Sequence, residues 1–161
     1  MELACLERQE GGHLAEVLVC DDGSSTDTGA VVGAFGARLP GLRLLRQEDR
    51  GFRAGQARNM GIAAARGDLL IFIDDDLLLP AGFVDSHVRA HAAGSRRIVL
   101  GYRFRAGERP RAIPPALADV LAFAPDDRVS PLGQGGEGIS GHPHPWFFVD
   151  SCNFSVATDP A

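Results

Sequence analysis

The chain has little with which to build a disulfide framework, a membrane span or a nucleic-acid surface. Its three cysteines, Cys5, Cys20 and Cys152, are odd in number and widely spaced. That argues against both a stapled secreted scaffold and a zinc knuckle, and it fits a reduced, cytoplasmic setting. No window approaches the ~18 apolar residues of a membrane span, and the N-terminal MELACLERQEGG carries acids where a targeting leader carries basic residues. A soluble protein is expected, with peripheral association at the inner face of a membrane left open. Positive charge is also short: 16 Lys and Arg stand against 21 Asp and Glu, for a net charge of -5. A nucleic-acid partner is therefore not expected, because phosphate neutralisation needs a basic surface. Any anionic ligand must be met by local groups. The 161 residues, 45% of them hydrophobic, suffice for one compact core.

What is present is an alternation. ELACLERQ places Leu3 and Leu6 one helical turn apart, and EGGH breaks that pattern before AEVLVCDD, as the tail of a helix feeding a strand would. EVLVC is a continuous apolar run, the pattern of a parallel strand covered on both faces. DDGSSTD behind it is turn and cap chemistry, and predicts a helix starting near Thr26 or Asp27. Val31, Val32, Phe35 and Leu39 give that helix its apolar face until Pro40 and Gly41 end it. LRLLRQ then reads as a strand, AGQARNMGIAAAR as a helix, DLLIFID as a strand, PAGFVDSHVRAHAAG as a helix opened by Pro80, and RRIVLGYRFR as a further strand. This order predicts an α/β fold with an open, mainly parallel sheet and helices on both faces.

From about residue 106 the composition turns to proline and glycine. Residues 106–161 are expected to be a loop-rich region, with a short helix at Ala116 to Phe123 and a strand around Phe147 to Asp150. Loops of this length in a compact domain usually serve function. His142 and His144 in GHPHPW could ligate a metal or simply sit in a loop between prolines. Trp146 could stack on a ligand or pack beside Phe147 and Phe148.

In open α/β sheets ligands bind in the crevice at the carboxyl ends of the strands, and two acidic clusters fall there. Asp74, Asp75 and Asp76 follow the apolar strand LLIFI. Three adjacent carboxylates repel one another, and the outer pair can reach one point, which suits a hard divalent ion held by one or two carboxylates plus substrate phosphates. The competing reading is that these acids cap the helix begun near Pro80. Asp21 and Asp22 follow EVLVC and, with Gly23 and Ser24, read equally well as ordinary turn and N-cap residues or as hydrogen-bond acceptors for a base N–H. In QEDRGFRAGQARNMG, Arg53 and Arg58 could meet phosphate or base, and Asn59, a poor helix former inside a helical pattern, is expected to bond backbone or ligand.

These residues carry a family resemblance. VLVCDDGSSTD, followed by GFRAGQARNMGIAAARGDLLIFIDDDLLLP, resembles the two signature segments of glycosyltransferase family 2, with a DDGS strand end, an ARN-x-G helix, an A-x-G-D turn and a DXD-type acidic motif before proline. The likeness covers about residues 14 to 105. The ending DSCNFSVATDP also resembles a subgroup with a galactosyltransferase-like C-terminal part. The resemblance implies a Rossmann-like GT-A fold, a nucleotide-diphosphate-sugar donor, most often UDP-linked, and inverting, metal-assisted transfer to the hydroxyl of a glycan or a lipid- or protein-linked acceptor. It also implies residue roles. Asp22, in the turn Asp21-Asp22-Gly23-Ser24, would contact the base, and Arg53, Arg58, Asn59 and Asp75 would complete the nucleotide site. Asp74 and Asp76 would hold a divalent metal, Mn2+ or Mg2+, with the sugar diphosphate.

The departures from that pattern set further expectations. Family members begin with a strand and a short turn that touches the nucleotide, and here only the last turns of the following helix precede EVLVC. The segments that normally follow the Asn-x-Ser stretch, one of which supplies the presumed general base, do not appear before Ala161. Asp150 is the carboxylate left as a candidate base, with Asp159 outside the motif as well. The expectation is a single but partial domain over residues 1–161 whose exposed strand edge calls for a partner chain or oligomer. Two alternatives are a nucleotide-sugar-binding fragment without transfer activity and a nucleotidyltransferase, although no glycine-rich basic loop precedes EVLVC.

Overall fold

The structure is a computed structural model that describes residues 2–92, 94, 97–105, 124–125 and 152–158. Helix α1 (Glu2–Leu6) leads through a glycine turn into strand β1 (Leu18–Asp21), and helix α2 (Thr28–Gly33) follows. Asp27 caps α2, its Oδ1 accepting the Ala30 N–H at 2.9 Å. The helix expected to reach Leu39 ends at Gly33, and turns carry the chain on to Pro40. Gly33 and Gly36 explain the stop, since each costs a helix about 1 kcal/mol relative to alanine. Phe35 and Leu39 still reach the core from those turns.

Strand β2 (Arg43–Arg46) lies parallel to β1, in register from Leu18 opposite Arg43 to Asp21 opposite Arg46. Helix α3 (Ala54–Ala64) then packs on β1 and β2. Gly61 faces the strands from α3, and a Cβ there would stand 2.7 Å from Cys20 Sγ, so a larger residue at that position would force the Cys20 side chain or the helix to shift. The far end of α3 is pinned as well: Arg43 Nη2 donates to Glu16 Oε2 at 2.7 Å and to the Ala64 carbonyl at 2.8 Å.

Strand β3 (Leu69–Ile73), helix α4 (Phe83–His91) and strand β4 (Ile98–Leu100) complete the alternation, and β5 (Phe104–Arg105) forms a short antiparallel pair with β6 (Ala124–Pro125). The last strand, β7 (Asn153–Ala157), runs antiparallel between β3 and β4. Phe72 of β3 stacks on Phe154 opposite it, with ring centroids 4.4 Å apart. Among the described residues the strands therefore form a parallel pair and an antiparallel triplet, without a ladder between β1 and β3. One core joins the two groups. Cys5, Leu6, Val17, Leu39, Leu79, Phe83 and Val84 are buried together, and Ile71 and Ile73 of β3 pack against them. The helix expected at Ala116 to Phe123, the strand at Phe147 to Asp150, and His142, His144, Trp146 and Asp159 lie outside the described residues.

Candidate functional site

Both acidic turns are tied to α3, and that helix sets their spacing. At its start, the Arg53 N–H donates to Asp22 Oδ2 at 2.5 Å; in its second turn, Arg58 Nη2 donates to Asp74 Oδ1 at 2.8 Å. Five residues of α-helix separate these anchors, a rise of about 7.5 Å. The end of β1 and the end of β3 are thus held along one helix although no ladder joins them. Gly61, which seats α3 on β1, underlies this arrangement.

The turn after β1 is closed by internal hydrogen bonds. Asp21 is buried, its Oδ1 accepts the Ser24 N–H at 2.7 Å, and its Oδ2 lies 3.5 Å from Arg46 Nε. Burial pushes the Asp21 carboxyl up, but hydrogen bonds from Ser24 and Thr28 and the charge of Arg46 outweigh it, and the net shift is downward. Asp22 accepts from Gln47 Nε2 at 2.5 Å through Oδ1, and this bond, with that of the Arg53 N–H, lowers its pKa. Gly23, at φ +87°, lets the turn press on the 47–53 loop, where a Cβ would stand 2.5 Å from the Asp49 backbone. Arg53 is engaged inside that loop, donating to the Glu48 carbonyl and to Gln56 Oε1, while its buried Nε has no hydrogen-bond partner among the described residues and lies 4.0 Å from Asp22 Oδ1.

The turn after β3 is different. Asp74 is half-buried and paired with Arg58, and its N–H reaches the Cys152 carbonyl at 3.3 Å. Asp75 and Asp76 are exposed. Glu2 of α1 adds a fourth carboxyl: its Oε1 is buried without a hydrogen-bond partner among the described residues, and its pKa is raised to about 8, first by burial and then by the charges of Asp75, Asp76 and Asp74. At neutral pH Glu2 is therefore mostly protonated, which relieves the crowding of like charges. Asn59 lies exposed on α3. Asp150 lies outside the described residues.

Behind Asp74 sits a polar cluster that residue order alone did not reveal. His87 and His91, one turn apart on α4, both meet Ser155 Oγ of β7, at 2.8 Å from His87 Nδ1 and 3.0 Å from His91 Nε2. His87 Nε2 donates to Asn153 Oδ1 at 3.2 Å. Neutral His87 then accepts the Ser155 hydroxyl proton at Nδ1, and Ser155 accepts from His91 Nε2. The series ends at His91 Nδ1, which is buried and meets no partner among the described residues. Burial lowers the His87 pKa, and the nearby His91 adds to that shift against the Asn153 bond.

No group of three or more His, Cys, Asp or Glu side chains converges to cage a metal among the described residues. The donors at the β3 tip are hard carboxylate oxygens, two of them on exposed residues, which fits a divalent cation completed by substrate phosphates better than one held by protein alone. No described helix is long and apolar enough to cross a membrane.

An α/β framework with acidic turns at two strand ends, bracketed by one helix, fits a Rossmann-like domain of the GT-A type. The model of glycosyl transferase family 2 matches residues 3–151, and the chain belongs to that family. It is similar to validoxylamine A glucosyltransferase of Streptomyces hygroscopicus subsp. jinggangensis, 35% identical over 134 residues that make up 82% of this chain and 29% of that protein. It is also similar to hyaluronan synthase of Pasteurella multocida, 38% identical over 63% of this chain and 10% of the synthase, and to chondroitin synthase of Escherichia coli, 31% identical over 63% and 15%. The chain thus spans less than a third of each of these relatives.

Proposed function

We propose that this domain binds a nucleotide-diphosphate sugar, UDP-linked, and transfers the sugar with inversion to the hydroxyl of a glycan or a lipid- or protein-linked acceptor. The observation that carries the reading is the Arg58 to Asp74 ion pair beside the exposed Asp75 and Asp76, on the helix that also holds the Asp21-Asp22-Gly23-Ser24 turn. The base and ribose lie toward that turn, with Arg53 at its edge and the exposed Asn59 further along α3. The diphosphate lies toward Arg58, whose guanidinium, bonded to Asp74 through Nη2 alone, can take a phosphate in its place. Asp74 and Asp76 would hold a divalent cation, Mn2+ or Mg2+, which when bound neutralises the departing diphosphate. A carboxylate on the opposite side of the sugar takes the acceptor proton, and Asp150 is the candidate this chain offers. The relatives named as hyaluronan and chondroitin synthases support a polysaccharide acceptor.

Calorimetric titration with UDP, with and without manganese, tests the donor site against an Asp74→Asn, Asp76→Asn double variant. Manganese-dependent binding that the variant loses supports the proposal. A folded wild-type chain that binds no UDP in either condition overturns it.

A further inference from the structure

The 47–53 loop presents an apolar ring that the chain's own packing leaves in water. Phe52 is 95% exposed, more than any other large hydrophobic side chain among the described residues. The loop around it is nonetheless tied down at several points. Gln47 holds Asp22 Oδ1, Arg50 Nε donates to Glu48 Oε2 at 2.9 Å, the Gly51 N–H donates to Asp49 Oδ1 at 3.1 Å, and the Arg53 N–H holds Asp22 Oδ2. Gly51 at φ +86° turns the chain just before the ring. A tethered loop that keeps a phenyl group in solvent forgoes burial that a ligand can supply.

The position narrows what that ligand presents. Phe52 immediately precedes the residue that bonds Asp22, so it stands at the β1 side of α3, away from the Arg58 and Asp74 end. The carboxylate oxygens of Asp22 are already engaged by Gln47 and Arg53. What the loop has left to offer is an aromatic face, and stacking asks of its partner only a planar ring. We infer that Phe52 stacks on the nucleobase of the donor and supplies base affinity that the Asp21-Asp22 turn does not. The inference rests on the donor site proposed above and adds a residue to it.

The test compares wild type, Phe52→Ala and Phe52→Trp by calorimetry in manganese, with UDP and with inorganic diphosphate, alongside thermal melts. Stacking predicts that Phe52→Ala weakens UDP binding at least about fivefold, leaves diphosphate binding and the melting temperature unchanged, and that Phe52→Trp retains UDP affinity. UDP binding equal to wild type in Phe52→Ala overturns the inference, as does a parallel loss of diphosphate affinity, which would place the ring's effect at the phosphate end. If acceptor glycan affinity falls while UDP affinity holds, the ring belongs to the acceptor and the inference is again wrong. If wild type binds no UDP, the donor site itself falls, a result distinct from all of these.

Discussion

The two acidic turns look alike as sequence, yet they use their carboxylates differently. After β1, Asp21 and Asp22 are closed in by Ser24, Gln47, the Arg53 N–H and Arg46. After β3, Asp74 has one ion pair, and Asp75 and Asp76 stand in solvent beside a protonated Glu2. The first turn builds the site, because its hydrogen bonds fix the loop and the start of α3. The second holds charge in reserve for a ligand, and a fold tolerates that uncompensated charge only where solvent reaches it.

The strongest way to break this contrast is at Gly23. Gly23→Val places a branched side chain at φ +87° against the Asp49 backbone and should cost about 2 kcal/mol or more. For a chain of this size that corresponds to a drop of roughly 4 to 8 °C in melting temperature, measurable by circular dichroism. Next in size, Asp22→Ala and Asp76→Ala should separate two kinds of damage. Asp22→Ala should lower the melting temperature and UDP affinity together, whereas Asp76→Ala should lower manganese-dependent UDP affinity and leave the melt unchanged. Equal melting losses in both variants would show that the two turns do the same work.

Smaller effects follow from protons. His87 has a folded pKa below its ordinary 6.5, so the unfolded chain takes up the proton first as pH falls. Its contribution to stability is complete above 6.5 and declines as pH drops from there toward the folded value. Melting temperature should fall on acidification from pH 7 through this window, and Ser155→Ala, which removes the hydroxyl between the two imidazoles, should change that slope. Glu2 has the opposite sign. With a folded pKa of about 8 against 4.5, the folded carboxyl keeps a proton that the unfolded one loses, so its contribution declines as pH rises from 4.5 to 8. Glu2→Gln should flatten that part of the stability profile, with the clearest gain near pH 8. The smallest effect should come from Arg50→Ala, because its pair with Glu48 is exposed on both sides and such pairs contribute about 0 to 1 kcal/mol.

Much of the frame could be read from residue order. The apolar runs around Leu18, Leu44 and Ile71 became β1, β2 and β3, Asp27 capped α2 where turn chemistry placed a helix start, and the alanine-rich ARN segment became α3. What stayed hidden were contacts between distant segments. Asp22 read as either a cap or a base contact, and its neighbours in the sequence could not show that Gln47 and the Arg53 N–H would come to it.

Strand β7 shows most clearly where the sequence stops being informative. Asn153, Phe154, Ser155 and Val156 alternate polar and apolar as a strand should, but the buried side is the polar one: Asn153 and Ser155 are buried while Phe154 and Val156 are only partly covered. A rule that turns apolar residues inward misplaces such a strand. The inversion is stable because His87 and His91 of α4 meet those polar groups and satisfy them, a match between segments more than 60 residues apart. The sequence alone determined the α/β alternation, a helix start near Thr26 or Asp27 and the placing of acids at strand ends, since these depend on local periodicity, cap chemistry and charge. Only the tertiary structure decided which carboxylates were engaged, which face of β7 was buried and how one helix held both turns, because each depends on partners that folding alone brings together.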